Sequence, residues 1–221
     1  MLFRDRREAG RTLAEQVISL PESQGSLVLA LPRGGVPVGF EIATSLRSEF
    51  DVFVVRKLGL PGEEELALGA VASGGVRVLN RELIQHLKVP DTVIETITAR
   101  EMELLEARER FYRENRPQIS TRDRTVILVD DGLATGASML AAVRALRTQS
   151  TKKIIVAVPV AARSTYEELR TEVDHLICAA TPHPFGSVGR WYEHFGQVAD
   201  QEVRMLLDKA ADYSATCSAI R

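Results

Sequence analysis

Two adjacent carboxylates stand where the sequence changes from a strand pattern to a helix pattern. The apolar residues 126–129 predict a buried strand, and Asp130 and Asp131 follow it directly. The carboxyl ends of the strands form the edge at which open α/β sheets bind ligands. Because carboxylates repel anions, we expect this pair to face neutral hydroxyls or a metal ion.

The segment after the acid pair has the composition of a phosphate-binding turn. Residues 132–138 contain two glycines and two hydroxyl side chains, and no bulky residue follows Leu133. Backbone amides at such a turn, together with a helix N-terminus, suit a dianionic phosphate. A Walker-type loop is excluded because no lysine follows Gly136. A sugar phosphate meets both demands, with the carboxylates on its diol and the amides on its phosphate.

Residues 126–138 (VILVDDGLATGAS) resemble, over their full length, the phosphoribosyl pyrophosphate signature of the type I phosphoribosyltransferases. The resemblance implies a parallel α/β core, a smaller hood, and Mg²⁺-dependent exchange of pyrophosphate for a nitrogen nucleophile. It also implies that Asp130 and Asp131 hold the ribose hydroxyls, directly or through Mg²⁺. The residues implied for the 5-phosphate are Ala134, Thr135, Gly136, Ala137 and Ser138.

A second glycine-containing turn follows the predicted first core strand, residues 26–31. Arg33 supplies a fixed positive charge, while Gly34 and Gly35 let the backbone approach an anion. The string PRGGVPVG resembles the pyrophosphate loop of xanthine-guanine phosphoribosyltransferases, and such loops often contain a non-proline cis peptide. The alternative is an ordinary β-turn that carries a surface arginine.

Arg56 and Lys57 are predicted to end the second core strand, residues 51–55, before the turn-rich residues 59–62. RKLGLPG resembles a stretch of adenine phosphoribosyltransferases that leads into a mobile loop over the reacting centre. The resemblance implies that both cations stabilise the charge on the departing pyrophosphate, with Lys57 also binding it. The alternative is a strand end with two solvated cations.

Aromatic residues are concentrated in residues 182–196, although only 5% of the chain is aromatic. Aromatic rings there are suited to stack on a flat heterocycle. The predicted acceptor-binding residues are Phe185, Val188, Trp191 and Tyr192. The pattern PF-x-x-VG-x-x-Y loosely resembles the base-binding segment of hypoxanthine-guanine enzymes; a purely structural apolar plug is the alternative.

Ala134 separates this chain from those hypoxanthine-guanine enzymes. Their signature carries a third acid at this position, and that acid assists the purine nitrogen. With alanine there, the usual candidate for a general base is missing. The acceptor, a nitrogenous base and purine-like by resemblance, is therefore left undetermined.

The elements that must position these residues follow from hydrophobic periodicity and turn signals. We predict helices over residues 5–20, 37–46 and 91–114, a hairpin over 66–72 and 76–79, and another helix after residue 200. From residue 125 onward, apolar strands alternate with helices, which predicts a parallel sheet covered on both faces. The expected α/β chain is one phosphoribosyltransferase domain, 1–221, with a core at about 20–180, a helical insertion at about 91–115 and a hood at about 181–200 that includes N-terminal contributions.

The composition is that of an ordinary globular protein. The 221 residues carry a formal net charge of −2, which argues against non-specific nucleic-acid binding. No apolar run is long enough to cross a membrane, and the widely spaced Cys178 and Cys217 favour free thiols in the cytoplasm. The long helix and the family resemblance favour a homodimer.

The function expected from these features is a Mg²⁺-dependent phosphoribosyltransferase, as in nucleotide salvage. Two alternatives stay open. One is a regulatory module that senses phosphoribosyl pyrophosphate without turnover; the other is a hydrolase or phosphorylase that acts on a phosphoribosyl compound.

Overall fold

The computed structural model describes residues 1–114 and 116–218. Its helices are α1 (Arg6–Ile18), α2 (Gly35–Leu46), α3 (Arg81–Leu87), α4 (Asp91–Arg113), α5 (Ala137–Thr148), α6 (Arg163–Leu169) and α7 (Asp200–Ser218). Its strands are β1 (Leu27–Ala30), β2 (Glu49–Val52), β3 (Val55–Leu60), β4 (Glu63–Ala72), β5 (Val76–Leu79), β6 (Thr125–Val129), β7 (Lys153–Val160) and β8 (His175–Ala180). Short 3-10 helices lie at Pro21–Ser23 and Val188–Trp191.

Five strands form a parallel sheet in the order β2-β1-β6-β7-β8. Leu27 of β1 lies opposite Glu49 of β2 and Val126 of β6, so the first two core strands and the acid-bearing strand end together. All four residues of β1 are buried, as expected for a strand covered on both faces. The predicted α/β class with a parallel core is confirmed.

Alternate residues of these strands belong to two separate core layers. Val28, Ala30 and Ile127 pack with apolar residues of α1, α2 and α7 on one face. Leu27 and Leu29 pack with those of α5 and α6 on the other. Because side chains alternate along a strand, one continuous apolar run supplies both layers.

The remaining strands form an antiparallel sheet in the order β3-β4-β5. The predicted hairpin over residues 66–72 and 76–79 is confirmed as β4 and β5. After Lys57, β3 runs on to Leu60, turns at Gly62 with φ +85°, and returns as β4. The segment is therefore a second hairpin, held by ladder hydrogen bonds. The loop implied after Lys57 has this conformation, and its mobility stays a prediction.

Helix α4 confirms the predicted long helix and packs across β3, β4 and α7. On its inner face Leu105 and Tyr112 are fully buried, whereas Leu104 and Phe111 on its outer face are exposed. The shorter α3 was not predicted because it buries no residue and so has no apolar face to detect.

A buried polar network joins α4 to both sheets. The Arg113 guanidinium lies 2.9 Å from the Asp51 carboxylate in β2 and 2.8 Å from that of Glu109. Ser73, in the turn between β4 and β5, donates to Glu109 and accepts from the Val54 amide. Burial raises the pKa of Asp51 above its ordinary value, although Arg113 opposes the shift.

Cys178 in β8 is a free thiol, as expected. Burial raises its pKa to about 11, which leaves it protonated and unreactive at neutral pH. The side chain of Cys217 lies outside the described part of the chain. Among the described residues, no helix combines the length and the apolar character needed to cross a bilayer.

Candidate functional site

The predicted phosphate-binding turn opens directly into helix α5. Gly136 precedes the helix with φ +69°, in the left-handed region that favours glycine. The amides of Thr135, Gly136, Ala137 and Ser138 donate to no described residue. We call residues 134–138 the cradle; its free amides and the helix N-terminus together suit an anion.

Thr165 in α6 supports the cradle from behind. Its hydroxyl donates to the Ala134 carbonyl at 2.6 Å, and a β-carbon on Gly136 would lie 2.5 Å from its methyl group. No motif in the sequence pointed to this contact, because Thr165 belongs to another helix.

Asp130 and Asp131 lie at the carboxyl end of β6, as predicted. The Asp130 carboxylate accepts a hydrogen bond from the Asp131 amide at 2.8 Å. Burial and the neighbouring charge of Asp131 raise the pKa of Asp130 well above its ordinary value. Burial also raises the pKa of Asp131, against the opposing effect of Arg6. Two desolvated carboxylates so close together form a site that attracts hydroxyls or a cation.

The predicted pyrophosphate loop lies against this acid pair. A β-carbon on Gly34 would lie 2.1 Å from the Asp131 Oδ2, and one on Gly35 would lie 2.6 Å from the Val129 carbonyl oxygen. Both glycines are therefore needed for close approach. The Pro32–Arg33 peptide is cis, as the resemblance implied, and the Arg33 guanidinium lies 3.9 Å from the Asp200 carboxylate of α7.

The expected placement of Arg56 and Lys57 at a strand end needs correction. Both lie inside β3, where neighbouring side chains point to opposite faces. The Arg56 guanidinium pairs with Glu101 of α4 at 2.6 Å and makes no hydrogen bond or ion pair with the described residues of the cradle. Lys57 instead lines a pocket of about 150 Å³ between the second sheet and α5, beside Ala137. Only Lys57 of the two borders the phosphate-binding turn.

The hood is built from residues 1–5 and 181–196, which pair with each other. Phe3 bridges to Tyr192, and the Leu2 amide donates to the Trp191 carbonyl at 2.9 Å. Phe185 and Trp191 lie with ring centroids 6.4 Å apart, while Val188 contacts the backbone of Gly132 beside the acids. Of the four predicted acceptor residues, Val188 therefore lies beside the acid edge, and Phe185 and Trp191 belong to the same apolar cluster of the hood.

Tyr192 is the exception, and its predicted role as a stacking surface needs correction. Only 2% of the residue is exposed, because its ring is enclosed by those of Phe3 and Phe195. Its hydroxyl donates to the Asp131 carbonyl at 2.6 Å. Tyr192 thus fixes the backbone of the acid pair and leaves no face for a base.

Arg6 is a site residue that the sequence did not reveal. Its Nε donates to the Asp131 Oδ2 at 2.8 Å from the first turn of α1. It stands among Arg4, Arg7 and Arg11 in a charged stretch, so no motif distinguishes it.

The two carboxylates of Asp130 and Asp131 could hold a hard divalent cation whose remaining ligands come from a bound phosphate compound and water. Asp130 and Asp131 each have one carboxylate oxygen, Oδ2 and Oδ1 respectively, without a described hydrogen-bond donor. Among the described residues, no group of three or more His, Cys, Asp or Glu side chains is placed to hold a metal. Mg²⁺ commonly uses one or two carboxylates together with substrate phosphates and water, and these two carboxylates meet that requirement.

Comparison with known proteins places this site in context. The family model for the phosphoribosyl transferase domain matches residues 57–189, which include the acid pair and the cradle. Two strains of Mycobacterium tuberculosis, CDC 1551 and H37Rv, each have a relative provisionally named as a phosphoribosyl transferase. Each is 39% identical over 219 residues, which is 99% of this chain and 49% of the relative. The chain thus spans about half the length of these curated relatives.

A crystal structure of the protein TT1426 from Thermus thermophilus has the same fold. It superimposes with a TM-score of 0.86 at 41% sequence identity, covering 95% of this chain and 99% of that one. This coverage is larger than that of the family model, which matches residues 57–189.

Proposed function

The chain belongs to the phosphoribosyltransferase family, and from that premise we propose that it transfers a 5-phosphoribosyl group from phosphoribosyl pyrophosphate to a nitrogenous base. Pyrophosphate is the second product, and Mg²⁺ is the cofactor. One observation carries the proposal: the glycine backbone of the pyrophosphate loop touches Asp131, beside the free amides of the cradle. The predicted binding elements for diol, 5-phosphate and pyrophosphate thus meet at one sheet edge.

Each part of the donor has a matching group in this site. The amides of residues 135–138 bind the 5-phosphate, and Asp130 and Asp131 accept hydrogen bonds from the ribose hydroxyls. The Arg33–Gly35 turn and Lys57 bind the pyrophosphate. Mg²⁺, held by Asp130 and Asp131 mainly through the donor and water, would supply positive charge that offsets the charge of the phosphates.

The reaction exchanges one bond at the anomeric carbon for another. The carbon–oxygen bond to pyrophosphate breaks and its electron pair leaves with that group. The acceptor nitrogen donates a pair to the same carbon, and its proton passes to the departing pyrophosphate or to water. Arg33 and Lys57 stabilise the charge that develops on pyrophosphate, while the carboxylates stabilise positive charge on the ribose. The hood excludes water, which would otherwise intercept the sugar.

Phe185, Val188 and Trp191 are the proposed acceptor-binding side chains. They lie half-buried in the hood, where Val188 reaches the backbone next to Asp131. An apolar and aromatic surface of this kind suits the flat face of a heterocyclic base. Because position 134 is alanine and exposed, the edge of the base is not read there by a carboxylate.

Calorimetry with phosphoribosyl pyrophosphate and Mg²⁺ tests the donor site. We expect the wild-type protein to bind and the Asp130→Asn/Asp131→Asn double variant to lose at least about 100-fold in affinity, because neutral amides hold neither the cation nor both hydroxyls as well. Circular dichroism should show an intact fold, since asparagine has nearly the same shape. Equal affinity of the two proteins would refute the site assignment.

A panel of nitrogenous bases, incubated with phosphoribosyl pyrophosphate and Mg²⁺, tests the reaction. Pyrophosphate release that requires one base establishes the transferase and identifies the acceptor. Release without any base would favour a hydrolase. Binding without turnover across the panel would favour a sensor.

A further inference from the structure

Arg6 makes three contacts that join the acid pair to the hood. Its Nε donates to the Asp131 Oδ2 at 2.8 Å, and its Nη1 donates to the Gly196 carbonyl at 2.8 Å. Its guanidinium carbon lies 3.9 Å from the centroid of the Phe195 ring, within range of a cation–π interaction. One side chain therefore contacts the sheet edge and the hood segment at once.

The surroundings hold Arg6 in this arrangement. Its side chain is 11% exposed, and that of Asp131 is 14% exposed. Asp5 caps α1 by accepting a hydrogen bond from the Glu8 amide at 2.9 Å, which fixes the helix start beside Arg6. On the other side, the isolated bridge between Phe3 and Tyr192 fixes the residues that lead into the helix. The guanidinium fork is thus pre-organised, a property that lysine lacks.

Asp131 is restrained at three points, and one carboxylate oxygen is left available. Arg6 binds Oδ2, Tyr192 binds the backbone carbonyl, and the backbone amide donates to Asp130. The Oδ1 atom accepts no hydrogen bond from a described residue. A carboxylate held in this way presents Oδ1 in one orientation, as recognition of a sugar hydroxyl requires.

Stability alone gives a poor account of this ion pair. A largely buried pair gains little net free energy, because desolvation of both charges offsets their attraction. The ion pair also lies at the edge of the sheet where ligands bind. Arg6 occupies only the Oδ2 atom of Asp131 and leaves Oδ1 available to accept a hydrogen bond from a sugar hydroxyl.

We propose that Arg6 is a positioning residue for the ribose diol, acting through Asp131. The proposal rests on the proposed function, in which the Asp131 carboxylate accepts from a ribose hydroxyl. It adds that the N-terminal helix determines how strictly the site distinguishes ribose from its deoxy forms. The guanidinium of Arg6 fixes the orientation of the Asp131 carboxylate. The contacts of Arg6 with Phe195 and Gly196 fix the position of the hood relative to that carboxylate.

The test compares the affinities of three sugar phosphates, measured by calorimetry with Mg²⁺ present. They are ribose 5-phosphate, 2-deoxyribose 5-phosphate and 3-deoxyribose 5-phosphate. We expect the wild-type protein to bind ribose 5-phosphate about 10-fold or more tightly than at least one deoxy sugar, since a lost charged hydrogen bond has about that effect. In Arg6→Gln this preference should fall to less than about 3-fold, and Arg6→Lys should restore part of it.

The ratio of affinities separates positioning from a merely structural role. If Arg6 only supplied positive charge or stabilised the hood, its loss would weaken all three sugars equally and leave the ratio unchanged; that outcome would overturn the proposal. Tighter binding of ribose 5-phosphate by Arg6→Gln would also overturn it, because Arg6 would then compete with the sugar for Asp131.

Two further variants complete the experiment. Arg7→Ala is the matched control, since Arg7 is the next residue of α1 and pairs with Glu41 at 3.4 Å; it should keep the wild-type ratio. In Asp131→Asn, the additional Arg6→Gln change should alter the ratio no further, and an additive change would contradict action through Asp131. A wild-type protein without any preference for ribose would instead refute the diol site of the proposed function, and this proposal with it.

Discussion

The carboxylate of Asp131 lies so close to the backbone of Gly34 that position 34 has no room for a β-carbon. Its neighbour Gly35 is equally crowded, but by the backbone at Val129 and Asp130. Both glycines thus allow a close approach of the backbone, Gly34 to a side chain and Gly35 to the backbone of β6. A side-chain carboxylate can rotate away from an added methyl group, whereas a strand backbone cannot. A β-carbon at position 34 would therefore disturb mainly the site, whereas one at position 35 would disturb mainly the fold.

Gly34→Ala should therefore damage the site and spare the fold. The new methyl group displaces the Asp131 carboxylate, so we expect affinity for phosphoribosyl pyrophosphate to fall by at least about 10-fold. Because the displaced carboxylate also weakens its ion pair with Arg6, the free energy of unfolding should fall by about 1 kcal/mol or less, a smaller loss than that of Gly35→Ala. Calorimetry and urea unfolding measure the two quantities.

Gly35→Ala is the matched comparison. Its methyl group would meet the Val129 carbonyl oxygen at 2.6 Å, so β6 or α2 must shift. We expect a loss of about 1–3 kcal/mol in unfolding free energy. If the two variants were equally destabilised, the distinction between a movable carboxylate and a fixed backbone would be wrong.

Among the elements, α1 matters beyond its place in the core, because its first turn carries Arg6 to the acid edge. The helix begins where Asp5 caps the Glu8 amide. That hydrogen bond is the largest cause that lowers the pKa of Asp5 below its ordinary value. The cap therefore contributes stability above the unfolded pKa and loses it as pH falls through the lower, folded pKa.

Asp5→Ala should cost about 1 kcal/mol of unfolding free energy near neutral pH, the usual effect of removing a cap. The cost should shrink as pH falls below the ordinary pKa of about 3.8, because the protonated aspartate of the wild type then caps less well. Urea unfolding across this range measures it. Asp5→Asn serves as the control, since asparagine caps without titrating, and an Asp5→Ala cost that stayed constant with pH would contradict the charged cap.

The sequence was most informative where structure and chemistry are local. Strand, acid pair, turn and helix start follow one another within residues 126–138, so their meaning needs no knowledge of distant contacts. The same holds for the glycines after β1. The parallel core was also predictable. Strands that are buried on both faces are continuous apolar runs, which differ from the alternating apolar and polar residues of a strand with one exposed face.

Predictions failed where the position of a side chain depends on the exact start of a strand or on a contact between residues far apart in the sequence. The strand expected to end at residue 55 actually gives way to β3, whose alternation sends Arg56 to Glu101 and Lys57 towards α5. Arg6 meets Asp131 across 125 residues of sequence. No local pattern encodes that contact, and the enclosure of Tyr192 by Phe3 has the same origin.

At the scale of the whole molecule, the Arg113 network ties α4 and the second sheet to the edge strand β2. The Arg113 side chain is only 7% exposed and contacts Asp51, Glu109 and the Val52 carbonyl. Gln149, which follows α5, donates to the Ser73 carbonyl of the same cluster. The orientation of the second sheet, and with it the position of Lys57, therefore depends on this network.

Arg113→Met should be strongly destabilising, by about 3–5 kcal/mol, because it leaves Asp51 as a buried carboxylate without its charge partner. Adding Asp51→Asn should recover part of the loss, since the amide carries no charge. Urea unfolding provides the measurement. Arg110→Met on the same helix is the control: Arg110 is 70% exposed, and we expect a change below about 0.5 kcal/mol. A similar loss in both variants would mean that the network has no special weight.

The pairing of residues 1–5 with residues 181–196 in the hood also determines when the site is complete during synthesis. Arg6 contacts Gly196, which follows it by 190 residues. A ribosome that adds about 5–20 residues per second needs roughly 10–40 seconds for that stretch. During this interval the early helices and the first strand have already left the ribosome, while Asp131 and then the hood are still missing. Asp131 is thus made before its cover, and the proposed site has all its contacts only after Gly196 has been translated.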